Sequence, residues 1–158
     1  MLVYDEQTLF MFKPDAIERQ IWPEILTKVS SLSGISIVAF KLVPYVTPEL
    51  LKDHYQEHVE TDLYPYLESG MVGKPVIPMV LRGEMAVSRA RNLLGDTDPE
   101  KAAKGTIRRM YADDSCVLAN EEHRIVRNIA HATKFLREAP REIGVWFKLE
   151  EIVCNLKV

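Results

Sequence analysis

A chain of 158 residues fits one domain, 1–158, long enough to bury about 68–70% of the surface its unfolded form exposes. Its composition, 47% hydrophobic and 27% charged, excludes a disordered or fibrous protein, and a net charge of -3 excludes a global pull toward nucleic acid or anionic lipid. Cys116 and Cys154 give neither a disulfide framework nor a zinc spacing. MLVYDEQTLFMF lacks the regions of a signal peptide and no apolar run is long enough for a bilayer, so a cytoplasmic protein is expected.

In chain order, QTLFMFK reads as a buried strand ending at Lys13, because Pro14 lacks the next ladder donor. PDAIERQ is expected to turn. WPEILTKVSSL carries helical apolar spacing through Trp22, Ile25, Leu26 and Val29, with Gly34 as its stop. ISIVAFKLV is a second strand. TPELLKDHYQEH opens a helix with Thr47 as N-cap and Pro48 at its first position, and a short helix follows at 63–69. PVIPMVLRG is a third strand, which Pro78 assigns to an edge or a bulge. EMAVSRARNLLG is a helix ending at Gly95, 96–122 is mostly loop, HRIVRN is a fourth strand, and PREIGVWF is a last helix with Pro140 in its first turn. The order β-α-β-α-β-α-loop-β-α suits an antiparallel sheet with helices on one face, the split βαβ arrangement.

Polar residues collect at the borders of these elements: Lys13 where the first strand breaks, Tyr55 on the second helix, Arg91 on the third, and Thr97 in GDTDP. Arg108 follows the turn at Gly105, and Asn128 and His131 stand three apart in RNIAHATKF. Singly each is an ordinary surface residue. Together they supply cations, hydroxyls, an amide and an imidazole that is neutral and nucleophilic at pH 7. That set suits phosphoryl transfer, in which donors stabilise charge spread over the moving oxygens.

TLFMFKPDAIERQ, LLGDTDP, KGTIR, RNIAHAT and REIGVWF stand in the order found in nucleoside diphosphate kinases, and the likeness runs from Thr8 to Val153. The chain therefore resembles that family. The resemblance implies the α+β class: a ferredoxin-like α/β sandwich, a four-stranded antiparallel sheet with helices packed on it. It also implies a ping-pong kinase in which His131 takes the γ-phosphate of ATP or another nucleoside triphosphate on Nδ1 and passes it to a nucleoside diphosphate. Lys13, Tyr55, Arg91, Thr97 and Arg108 match the family's phosphate-binding positions. Lys13 and Asn128 match those that hold the ribose hydroxyls, and Leu63 and Ile125 match the clamp on the base. Glu142 matches the carboxylate that orients the histidine through its other nitrogen, which makes His131, Lys13 and Glu142 the expected catalytic residues. Mg²⁺ would arrive with the nucleotide, and no protein metal site, nucleic acid or membrane is implied. The family assembles as homo-oligomers, tetramers or hexamers.

Four departures from the family pattern stand out. Leu63 replaces the aromatic that stacks on the base, though Tyr64 is adjacent. Ala132-Thr133 replaces Gly-Ser, which is expected to crowd the histidine with methyl groups. An insertion occupies Arg109–Arg124, and Pro140 is expected to shorten the helix that carries Glu142. Two other readings compete. HYQEH, His54 to His58, matches H-x-x-E-H, which on a helix sets two imidazoles one turn apart for zinc. A nucleotide-binding module without activity is the other. SGMVGKP resembles a phosphate loop, but its glycine spacing fails and no hydroxyl residue follows Lys74, so it reads as a turn.

Overall fold

The computed structural model describes residues 5–153; Cys154 lies outside them. Four strands, β1 (Asp5–Phe12), β2 (Ile35–Phe40), β3 (Ile77–Glu84) and β4 (Ala130–Ala132), form one sheet in the order β2-β3-β1-β4, every neighbouring pair antiparallel. The helices are α1 (Pro14–Glu18), α2 (Trp22–Ser30), α3 (Pro48–His54), α4 (Tyr64–Met71), α5 (Ala86–Leu94), α6 (Ile107–Tyr111), α7 (Cys116–Glu121) and α8 (Ala139–Trp146). This is the ferredoxin-like α+β arrangement.

Helices cover both faces of the sheet, not the one expected. Phe10 and Phe12 of β1 pack with Ile25, Val29, Ala90 and Leu94, beneath α2 and α5. Leu9 and Met11 point the other way, into a cluster with Leu51, Leu67, Ile143 and Trp146 from α3, α4 and α8. The unbroken apolar run LFMF is the sequence mark of such double burial, since a strand with one wet face would alternate.

Several local expectations meet their physical cause. Thr47 caps α3, its hydroxyl accepting from the Leu50 amide at 3.2 Å, and α5 stops at Gly95, whose φ is +92°. The segment after Lys13 is a short helix rather than a turn: Pro14 occupies its first turn and Asp15 brings a negative charge to its N-terminus. Pro78 sits inside β3, which is central. Its carbonyl accepts from the Lys41 amide just past the end of β2, so its missing N–H also faces that finished edge and costs no bond to β1. The bulge lies in β2, between Ile37 and Ala39.

The largest revision concerns the last strand. HRIVRN does not join the sheet. Its arginine is tied to Asp114, its isoleucine packs on α4, and pairing with β1 begins only at Ala130. His131 is therefore within β4, directly opposite Met11, and shares that residue's face of the sheet. The expected loop at 96–122 also contains α6 and α7.

At Gly83 the chains cross closely: a Cβ there would lie 2.1 Å from the Gly34 carbonyl oxygen. Gly83→Ala should therefore lower the unfolding free energy by roughly 1–3 kcal/mol. A urea titration checks this, and unchanged stability would refute the crowding.

Candidate active site

The three residues of β4 alternate. Ala130 and Ala132 face α5, and His131 faces α3 and α8. Glu142, on the first full turn of α8 and only 2% exposed, meets His131 Nε2 with its Oε2 at 2.8 Å. The same oxygen accepts from the Thr133 hydroxyl at 2.8 Å, and that hydroxyl also accepts from the Leu9 amide at 3.1 Å. Burial would raise the Glu142 carboxyl. The hydrogen bonds and charge of His131, the Thr133 hydroxyl and the Arg141 charge outweigh it and hold the group below its ordinary value. An ionised carboxylate accepts only, so Nε2 carries a proton and donates it; in the neutral form of the ring Nδ1 then keeps the lone pair.

A cleft of about 460 Å³ opens beside the ring. All ten residues singled out in the sequence line it: Lys13, Tyr55, Leu63, Arg91, Thr97, Arg108, Ile125, Asn128, His131 and Glu142. Lys13, 5% exposed, donates from Nζ to the Val126 carbonyl and the Asn128 side-chain oxygen, both at 2.9 Å. Arg108 donates to the carbonyls of Asn128 (3.0 Å), Gly95 (3.1 Å) and Ala130 (2.7 Å), and the Asn128 amide donates to the Thr97 carbonyl at 2.8 Å. Arg91 reaches the Ala132 carbonyl at 3.5 Å. Leu63 and Ile125 line it with apolar side chains and stand half-exposed.

Among the described residues neither Lys13, Arg91 nor Arg108 forms an ion pair. Lys13 and Arg108 are satisfied by carbonyl and amide oxygens, which hold the side chains in place without cancelling their charge. Burial, partly offset by Asp15, pushes the Lys13 ammonium down to about 8; burial and the neighbouring Arg91 charge bring Arg108 down to about 10. Burial, then the Glu142 charge, raises the Tyr55 phenol, so it remains a neutral donor. Three cations near an imidazole fixed by Glu142 make a receptor for a chain of phosphates. A second groove of about 520 Å³ beside α8, lined by Asp5, Glu6, Leu136, Ile143 and Phe147, has no cation in its lining and suits no such ligand.

The family model for nucleoside diphosphate kinase matches residues 6–152. The chain belongs to the nucleoside diphosphate kinase family. It is 38% identical to the nucleoside diphosphate kinase of Eremothecium gossypii over 94% of this chain and 91% of the relative, and 38% identical to that of Bacillus anthracis over 97% and 95%. Among solved structures it superposes with TM-score 0.90 on the Borrelia burgdorferi nucleoside-diphosphate kinase, a transition state mimic with bound vanadate and ADP, at 29% identity over 96% of this chain and 92% of that one. The Pyrobaculum aerophilum NDP kinase gives TM-score 0.85, 34% identity and coverage of 94% and 99%. As a nucleoside diphosphate kinase the chain is a phosphotransferase.

The departures of this nucleoside diphosphate kinase from its family pattern find places. Thr133 is fully buried, turns its hydroxyl to Glu142 and does not crowd the cleft; Ala132 borders the cleft while its side chain packs toward α5. Pro140 sits in the first turn of α8, and the Glu142 contact forms. The insertion folds as α7, capped by Ser115, whose hydroxyl accepts from Leu118 at 3.2 Å. Beyond it His123 Nδ1 lies 3.3 Å from the Tyr66 hydroxyl of α4. The zinc pattern fails for a plain reason. α3 ends at His54 and Gln56–His58 form a 3₁₀ turn, so the two imidazoles do not share one helical face; His54 is buried against Trp146 and His58 is half-exposed.

Other contributors went unread in the sequence. Ile129 has φ +77°, and the Ala130 amide bonds back to the Asn128 carbonyl at 2.9 Å, closing a strained γ-turn just before the histidine strand. Asp15 accepts from the Ile129 amide at 2.9 Å and so holds that turn. Asp114 takes a forked bond from Arg124 and a further one from the Arg127 amide at 2.8 Å, fixing the approach to Asn128. Burial would raise the Asp114 carboxyl, but these donors and the Ser115 amide keep it below its ordinary value. A depressed carboxyl contributes stability above its unfolded pKa of about 3.9, and that contribution is lost as pH falls through the lower folded value. Asp114→Asn should cost roughly 1–3 kcal/mol at pH 7 and should flatten the loss of stability in acid. Denaturant titrations at pH 7 and pH 3 check both, and an identical difference between variant and parent at the two pH values would refute the charge argument.

Proposed function

We propose that His131 carries the transferring phosphoryl group between two nucleotides. The observation that supports this most directly is the Nε2–H bond to Glu142, which leaves the Nδ1 lone pair for the cleft. Nδ1 attacks the γ-phosphorus, the bond from that phosphorus to the bridging oxygen breaks, and the diphosphate leaves with its electron pair. No proton has to leave the ring. The phosphorylated imidazole is cationic and rests against the Glu142 carboxylate. The bound diphosphate departs, another enters, and the reverse step regenerates a neutral histidine.

In this reading Lys13, Tyr55, Arg91, Thr97 and Arg108 hold the phosphates, and Lys13 with Asn128 holds the ribose hydroxyls. Mg²⁺ would come with the nucleotide and supply positive charge to its phosphates beside Lys13, Arg91 and Arg108. Leu63 and Ile125 clamp the base by apolar contact, which discriminates weakly among bases. The chain acts as one domain, 1–158, in the cytoplasm, without nucleic acid or membrane, as a homo-oligomer, a tetramer or a hexamer. One observation fits the assembly: Phe40, Leu42 and Tyr45 stand exposed on and just after the edge strand β2. Among the described residues no helix is long and apolar enough to cross a membrane.

Incubation with γ-labelled ATP should give an acid-labile, base-stable phosphoprotein that discharges to GDP. His131→Ala should abolish labelling with the fold retained by circular dichroism; a labelled variant would sink the assignment. Arg108→Ala should slow transfer by at least a hundredfold, since a single well-placed donor of this kind is worth about 3–4 kcal/mol. It should also lower stability, because three carbonyls lose their donor.

Lys13 predicts a pH dependence. Its charge is lost as pH rises through about 8 in the free protein, so ADP affinity should weaken above that value, by up to tenfold per pH unit. Calorimetric titration from pH 7 to 9.5 checks this. Lys13→Met should bind weakly and without the alkaline fall; an affinity that stays level in the parent would overturn the role.

A further inference from the structure

His54 is 1% exposed and packs edge-on to His131, ring centroids 4.5 Å apart. A ligand atom of His54, one of His131 and one of Glu142 all lie within 4.8 Å of one another. Two imidazoles and a carboxylate make a complete three-residue zinc set. To close on an ion at about 2.0–2.1 Å the three groups would have to move inward by only an ångström or so. Zinc held there would take Glu142 from His131 and occupy the imidazole that the exchange reaction uses.

One bond stands against this. Trp146 Nε1, which can only donate, points at His54 Nδ1 at 3.2 Å. Nδ1 must then accept, and the neutral ring must carry its proton on Nε2. That nitrogen is buried with no hydrogen-bond partner among the described residues. Neither nitrogen has a lone pair to give: one is taken by the indole, the other is protonated. A metal-ligating histidine needs the opposite, an acceptor behind the nitrogen that does not bind the ion. Among the described residues no hydrogen bond offsets the desolvation of that Nε2–H.

We propose that Trp146 keeps a latent zinc site, His54–His131–Glu142, closed by fixing His54 in the Nε2–H tautomer. Its ligand class is the borderline-soft divalent cation, zinc first, and not Mg²⁺, which prefers oxygen donors and keeps its waters. The importance of keeping the site closed rests on the phosphocarrier role of His131. The binding test does not.

Trp146→Phe keeps an aromatic ring and removes the donor. In equilibrium dialysis of the metal-free full chain against zinc chloride, this variant should bind one zinc per chain at least tenfold more tightly than the parent. Adding His54→Ala to Trp146→Phe should abolish the gain. Zinc should also block labelling by γ-labelled ATP in the single variant at concentrations that the parent tolerates. Equal zinc affinity in parent and Trp146→Phe would overturn the proposal, as would a gain that survives loss of His54, which would place the ion elsewhere. Should Trp146→Phe fail to fold, the parent decides: long-range ¹H–¹⁵N spectra at pH 7 should show His54 protonated on Nε2 and unmoved by zinc, and an Nδ1–H ring would refute the lock.

Discussion

A neutral imidazole has one donor nitrogen and one acceptor nitrogen, and the fold must choose which faces the substrate. Glu142 makes the choice. Its buried carboxylate accepts the Nε2–H hydrogen bond at 2.8 Å and is itself held by Thr133, whose hydroxyl is tied to β1 at Leu9. His131 of β4 and Thr133 just after it thus converge on one oxygen of α8, and Thr133 links that oxygen to the far-off β1. The short β4 has only three residues, and its register opposite Met11 is what sends the ring toward α8 rather than into the packed face beneath α5.

The cationic groups of the cleft are organised on a different principle. A carboxylate partner would fix a lysine or arginine but would spend its charge. Lys13 and Arg108 are instead held by main-chain carbonyls and one side-chain amide, so their positions are set and their charges remain available. Burial opposes this arrangement and shows as depressed basicity in both groups. Two carboxylates outside the cleft hold its borders instead. Asp114 anchors Arg124 and the segment ahead of Asn128, and Asp15 anchors the turn at Ile129.

What could be read from the sequence followed the reach of each signal. Lys13, Arg108, Asn128 and His131 were legible because each sits in a short string whose residue types serve one chemistry. Thr47 and Gly95 were legible because capping is a local matter. The fourth strand was misplaced because the apolar pair Ile125-Val126 in HRIVRN has a partner outside the sheet: Ile125 packs on α4 where Gly70 leaves room for it. Pro78 misled because the rule about edges concerns hydrogen bonds, and the bond it lacks faces the end of β2. His54 stood in a motif that drew notice for the wrong chemistry. Its actual partner, Trp146, lies 92 residues away, and no spacing in the chain announces that contact.

The turn at Ile129 has a consequence for substitution at that position. The residue must hold a positive φ, which favours glycine, and must fill a pocket with no exposure at all, which favours a large branched side chain. No amino acid meets both demands without loss: glycine would relax the backbone and leave a void, and leucine or valine would keep the strain and repack imperfectly. Strained backbone with a fully enclosed side chain is held by its surroundings, so the backbone from Asn128 to His131 is fixed by the fold itself. The nucleotide must therefore conform to this corner of the protein.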